Sequence, residues 1–133
     1  MVLLKRTEPA RTMNPAPVPM VDNSIRLTLQ ISGPKGRNIT LKLKNRLLIG
    51  SGSAHWDLDL DLAHLGGMQA GVSRQHLAFT TDGDIVLAED LNSDSGTRIN
   101  GVLMHPERKI RVRTGDELAL GDLLMTVRIV RAS

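Results

Sequence analysis

One short hydroxyl, one arginine and one histidine crowd into Gly71-Val72-Ser73-Arg74-Gln75-His76, where a glycine-bounded loop turns into an alternating apolar run. Two further stretches share this character: Ile49-Gly50-Ser51 upstream, and Asn92-Ser93-Asp94-Ser95-Gly96-Thr97-Arg98-Ile99-Asn100-Gly101 downstream. All of them fall at strand ends, so their small polar residues would meet on one rim of a β-sandwich. Hydroxyls, an Arg and exposed amides are donors, and a rim of donors suits an oxyanion or a peptide backbone. His76 opens a strand beside Ser73 and Arg74, where its natural work is to hydrogen-bond backbone and lock the loop. No oriented nucleophile accompanies it, so the pattern is that of a binding module and not of an enzyme.

Other chemistries are tested and fail. Gly50-Ser51-Gly52-Ser53 lacks the third glycine of a dinucleotide loop, and a strand follows it instead of a helix. There is no phosphate-cradling G-x-x-x-x-G-K-[ST], no H-E-x-x-H and no G-x-S-x-G elbow. Asp57, Asp59 and Asp61 imitate the opening of a calcium loop, but Leu62 stands at its sixth position and Met68 at its twelfth. They read instead as carboxylates on the wet face of a strand. His55, His64, His76 and His105 have no ligand spacing. Neither a metal nor a cofactor is expected.

Composition narrows the partners. The 133 residues suffice for one domain and a tail, and contain no cysteine, so disulfides and thiolate metal sites are ruled out. A reducing cytoplasm fits this usage. Val2 to Leu4 is too short an apolar patch for a signal-peptide core, and no run approaches the ~20 residues of a membrane span. The formal charge is +3, with cations scattered apart from Arg108, Lys109, Arg111 and Arg113. These alternate with Ile110 and Val112, as on the solvated face of a strand. Trp56 and Phe79 are the aromatics, too few for a base-stacking platform.

Residues 1–24 carry Pro9, Pro15, Pro17 and Pro19 without apolar periodicity, and read as a flexible, partly extended tail. Thr7 and Thr12 each follow an Arg at a distance of one residue and invite a kinase reading, although unmodified linker threonines are the simpler account. From Ile25 the period becomes two, and residues 25–133 read as one domain. Ile25–Ile31, Ile39–Leu43, Arg46–Gly50 and an alternating Asp57–Leu62 form the first strands. A long loop, Ala63 to Gly71, leads to a strand through Phe79. Asp82-Gly83 marks a hairpin into Ile85–Glu89, and Asn100-Gly101 another tight turn. Ile110–Val112, Leu118–Leu120 and Leu123–Val130 complete an antiparallel β-sandwich with no amphipathic helix.

The rim stretches together resemble the forkhead-associated (FHA) domain, whose pattern is G-R, S-x-x-H, S-T-N-G-T and N-G. Here these read Gly50-Ser51, Ser73-Arg74-Gln75-His76, Ser93-Asp94-Ser95-Gly96-Thr97 and Asn100-Gly101. The resemblance covers roughly residues 25–131 and is supported by Glu89-Asp90-Leu91 and by Gly115-Asp116-Glu117-Leu118-Ala119-Leu120-Gly121. It implies an eleven-stranded FHA/SMAD-like sandwich with the motifs on apical loops, and recognition of phosphothreonine in partner proteins. Ser73 would then donate to the phosphate with Arg74 beside it, and His76 would buttress the loop. Asn100 would tie loops together or meet the peptide. Gly50, Gly96 and Gly101 would keep the turns.

Three positions depart from the pattern: the family's phosphate-binding Arg is Ser51, its Thr is Asp94, and its peptide-binding Asn is Ser95. A charge-assisted hydrogen bond is worth ~1.5–3 kcal/mol, and a serine does not replace an Arg fork. At ~4 Å and an effective dielectric of ~20, a carboxylate repels each phosphate charge by ~4 kcal/mol before salt screening. Even half of that, added to the lost Arg fork, would turn a micromolar site into one of about millimolar strength or weaker. Arg98 swinging in, or a protonated Asp94, would offset the loss. The reading is therefore a non-enzymatic FHA-like protein–protein interaction module with weakened phosphothreonine recognition. The alternatives are a phosphothreonine-peptide-binding signalling module with a rearranged pocket, and a basic nucleic-acid-binding sandwich.

Overall fold

The computed structural model describes residues 25–52 and 57–131. The expected tail at 1–24, with Thr7 and Thr12, lies outside the described residues, as does Trp56. Alternation sets the first strand: in β1 (Ile25–Ile31), Ile25, Leu27, Leu29 and Ile31 are buried while Arg26 and Gln30 face solvent. β2 (Asn38–Leu43) pairs antiparallel with β1 after the Ser32–Arg37 turn. β3 (Arg46–Gly50) crosses to a second sheet. β5 (Leu77–Asp82) and β6 (Ile85–Asp90) form the hairpin that Asp82-Gly83 signals, with Asp82 opposite Ile85.

Two expectations are corrected between β3 and β5. The alternating run Asp57–Leu62 forms only a two-residue strand, β4 (Leu60–Asp61), and it pairs parallel with β3. The reason lies in its carboxylates. Asp59 Oδ2 accepts the Leu48 amide at 2.7 Å, and Asp61 Oδ1 accepts the amides of Gly52 and Ala63 at 2.8 and 3.0 Å. Side chains that capture backbone donors compete with a ladder and bend the chain away from it. The expected loop at 63–71 also contains helical structure, a 3-10 turn at Ala63–Leu65 and a single α turn, α1 (Gly67–Ala70).

The chain closes with β7 (Thr97–Ile99), β8 (Val102–Leu103), β9 (Ile110–Val112), β10 (Glu117–Leu120) and β11 (Leu123–Arg131). Asn100 and Gly101 turn β7 into β8 with φ of 51° and 85°, both left-handed, as a two-residue type I′ hairpin demands. One sheet runs β9-β6-β5-β3-β4 and the other β2-β1-β11-β10-β7-β8. Their inner faces enclose a core that includes Phe79, Leu29, Ile49, Leu77, Leu118 and Met125, all buried. Each such side chain contributes about 1.5–3 kcal/mol by leaving water. The outcome is an all-β sandwich whose ladders are antiparallel apart from β3–β4.

Candidate functional site at the apical loops

The loops after β3, before β5, between β6 and β7, and between β10 and β11 meet at one end of the sandwich. Backbone bonds bring them together: the Ser51 amide donates to Ser73 O, the Gly121 amide to Gly96 O, and the Asp122 amide to Ala70 O. Side chains complete the seam. Ser73 Oγ accepts the Asp94 amide at 3.0 Å, and Ser95 Oγ donates to Gly71 O. Gly50 is needed because a Cβ there would sit 1.8 Å from the Arg74 carbonyl oxygen.

Beneath this seam lies a buried polar pair. The Ser73 amide donates to His76 Nδ1 at 2.9 Å, so that nitrogen carries a lone pair. The neutral ring then bears its proton on Nε2 and donates it to Gly96 O at 3.0 Å. Burial drives the imidazole below its ordinary value of 6.5, although the Gly96 bond and the charges of Asp90 and Asp94 pull the other way. His76 is fully enclosed, and its Nε2 lies 3.9 Å from Asp90 Oδ1.

Asp90 is the second member. Burial alone would push its carboxyl up, but bonds from Ser93 Oγ and Thr97 Oγ1, each at 2.6 Å, and from the Ser93 amide outweigh burial. With the nearby imidazole, they hold the group below 3.8. Ser93 Oγ in turn accepts the Gly96 amide. Asp90 and Thr97 were not among the residues singled out for the site. Their signal is Asp90-Leu91-Asn92-Ser93, in which an Asp can accept the amide three residues on, together with the hydroxyl at Thr97.

The candidate residues separate into two groups. Ser73, Arg74, Asp94 and Ser95 are drawn together at the surface, with Arg74 and Asp94 exposed. Ser73 Oγ is occupied as an acceptor, and among the described residues nothing takes its proton, which is left for a ligand. Ser95 spends its hydroxyl on the Gly71 carbonyl. Ser51 lies below the rim, 3% exposed, with an Oγ that has no partner among the described residues. A Cβ on Gly67 would stand 2.9 Å from that oxygen, which places the Ser51 side chain against the start of α1. Asn100 belongs to another seam: its Nδ2 donates to Asp116 Oδ1 at 3.0 Å and its Oδ1 accepts the Glu117 amide at 2.9 Å. It therefore fastens the β7–β8 turn to the loop before β10. Gly96 and Gly101 both adopt left-handed backbone, Gly96 under the Leu103 side chain.

The candidate residues at the surface thus offer one hydroxyl donor, one guanidinium and one carboxylate on a framework of committed hydrogen bonds. Such mixed polarity can meet both donors and acceptors of a peptide. Among the described residues no group of three or more His, Asp or Glu is gathered as metal ligands, and no helix is long and apolar enough to cross a membrane.

Comparison with known proteins identifies the family. The FHA domain profile matches residues 47–121. The FHA domain-containing protein FhaA of Mycobacterium tuberculosis is 33% identical over 103 residues, which is 77% of this chain and 17% of that protein. The chain therefore spans about a sixth of that relative's length. An FHA domain solved in the study of phosphothreonine-dependent interactions superposes with a TM-score of 0.62 at 32% identity, covering 77% of this chain and 95% of that one. The FhaA FHA domain complexed with the intracellular domain of Rv3910 gives 0.61 at 32% identity, covering 77% and 99%. With the family profile matching residues 47–121 across strands of both sheets, this chain belongs to the FHA domain family.

Proposed function

We propose that this protein is a non-enzymatic recognition module that binds a protein partner through its apical loops and gains little from a phosphate on that partner. The observation that carries this reading is the position of Ser51: it is 3% exposed, its hydroxyl turned inward under Gly67, so the rim lacks a cation at that place. Asp94, meanwhile, leaves an exposed carboxylate next to Ser73. Water and salt weaken the repulsion that an exposed carboxylate exerts, so Asp94 subtracts less than a buried charge would. The missing Arg fork is then the larger loss.

A second reading has its own support. The Ser73 hydroxyl proton and the exposed Arg74 are both available to an oxyanion. In this reading the module binds phosphothreonine peptides in signalling, through a pocket rearranged around Arg74. A phosphothreonine peptide is the ligand class suggested by the relative solved for such interactions.

Isothermal titration with a degenerate phosphothreonine peptide library and its unphosphorylated twin separates the two. Under the first reading both libraries bind alike. Asp94→Thr then raises phosphopeptide affinity several-fold, and Ser51→Arg with Asp94→Thr raises it by about two orders of magnitude. Micromolar phosphopeptide binding by the wild type, weakened by Asp94→Thr, would establish the second reading and remove the first.

A further inference from the structure

The outward face of the six-stranded sheet bears a pattern that the apical loops do not use. In β1, β2 and β11 the residues turned away from the core can be read from the register. Arg26 stands opposite Lys42 on one side and Val130 on the other, and Thr28 lies between Thr40 and Arg128. Gln30 lies between Asn38 and Thr126. Arg26 and Arg128 are diagonal neighbours on adjacent strands, close enough for long side chains to act on one ligand. These outward positions carry no acidic residue; the face acquires one only at Glu117 on β10, opposite Thr126.

The face is also concave. A trough of about 240 Å³ runs between Asn38 on β2 and the Thr114-Gly115 loop, floored by Gln30, Thr126 and Arg128. A second depression of about 180 Å³ adjoins it at Gln30 and Thr126 and reaches Leu124, with Glu117, the single carboxylate of its lining, on its β10 side. Two partly exposed apolar side chains of β11 stand at opposite ends of this floor, Leu124 at 39% and Val130 at 40%.

We infer that this outer sheet face, with Arg26 and Arg128 at one end and Leu124 at the other, docks an acidic peptide segment that alternates carboxylates with apolar side chains. Charge complementarity selects the acid. The Thr, Asn and Gln floor supplies short donors and acceptors for a peptide backbone, and Leu124 and Val130 take its apolar residues. A nucleic acid fits less well: its phosphates need cations along the whole path, while here those of Arg26, Lys42 and Arg128 are separated from Arg98 on β7 by the uncharged row of Asn38, Gln30 and Thr126. Among the described residues this face also offers no aromatic ring for a base to stack on. The site is separate from the apical rim, so it stands or falls independently of phosphothreonine binding.

The test uses the full chain and a fluorescein-labelled, phosphate-free peptide alternating glutamate with leucine. Its arms are a lysine–leucine counterpart and single-stranded oligothymidylate. Anisotropy should show binding of the glutamate peptide and none of the lysine peptide. Arg26→Glu with Arg128→Glu should weaken the complex about tenfold or more, with an unchanged circular dichroism spectrum. Amide shifts on binding should gather at Thr28, Gln30 and Thr126. The inference is overturned by absent binding, by an affinity indifferent to the double substitution, by shifts gathered at Ser73 and Asp94, or by oligothymidylate binding more tightly than the peptide.

Discussion

The imidazole of His76 accepts the backbone N–H of Ser73 at 2.9 Å, while its other nitrogen serves the carbonyl of Gly96. One buried ring thus spans two loops that lie 20 residues apart. His76→Ala leaves the Ser73 amide and the Gly96 carbonyl without this partner and should cost about 1–3 kcal/mol. Urea unfolding measures it. Unchanged stability with selective loss of ligand binding would move His76 from the framework to the contact surface.

The same ring makes the fold sensitive to mild acid. Burial holds its folded-state value below the ordinary 6.5, so the unfolded chain takes up the proton first as pH falls. Stability from this group is complete above about pH 6.5 and declines as pH drops toward the folded-state value. The urea midpoint should therefore fall between about pH 7 and pH 5, and fall less in His76→Gln. Equal slopes in the two proteins would assign the acid sensitivity elsewhere.

Asp90 acts in a lower window. Its carboxyl is held below 3.8, so its contribution is present above that pH and is lost as pH falls through the folded value. Asp90→Asn keeps the shape but removes the charge that accepts bonds from Ser93 and Thr97. It should cost about 2–3 kcal/mol at neutral pH and loosen the Asn92–Gly96 loop, seen as faster amide exchange at Ser93 and Gly96. Exchange as slow as in the wild type would show that Ser93 holds the loop without the carboxylate.

Two glycines should fail in different ways. At Gly50 a methyl group would meet the Arg74 carbonyl at 1.8 Å, so Gly50→Ala should cost about 4 kcal/mol or more and spoil cooperative unfolding. At Gly101 a methyl group meets nothing within 4 Å, and only the left-handed backbone resists it. Gly101→Ala should cost about 1–2 kcal/mol. Calorimetry of the two variants, side by side, checks the order; similar losses would mean that the loop over Gly50 moves aside.

The strands were legible wherever alternation met turn residues, as in Ile25–Ile31 and in the hairpins at Asp82-Gly83 and Asn100-Gly101. Alternation gave the exposed and buried faces of Asp57–Leu62 but not the strand's length, because Asp59 and Asp61, though exposed, take backbone amides of Leu48, Gly52 and Ala63, and only Leu60–Asp61 joins a ladder. The helical turns at 63–70 were invisible, being too short to show a period. At the site, residue types revealed the rim but not its directions. That Ser51 points inward depends on how closely Gly67 approaches, and the Asp90 cluster depends on a loop that folds back over seven residues.

The bonds from Gly121 to Gly96 and from Asp122 to Ala70 have a consequence for the order of assembly. Two loops of the rim, the one before β5 and the one between β6 and β7, are fastened to the turn between the last two strands. A growing chain can collapse its early hairpins, yet it cannot close this end until residue 122 has been made and folded back. Contacts so distant in sequence form slowly compared with local ones. A chain truncated before β11 would lack the strand that folds this turn back onto the rim.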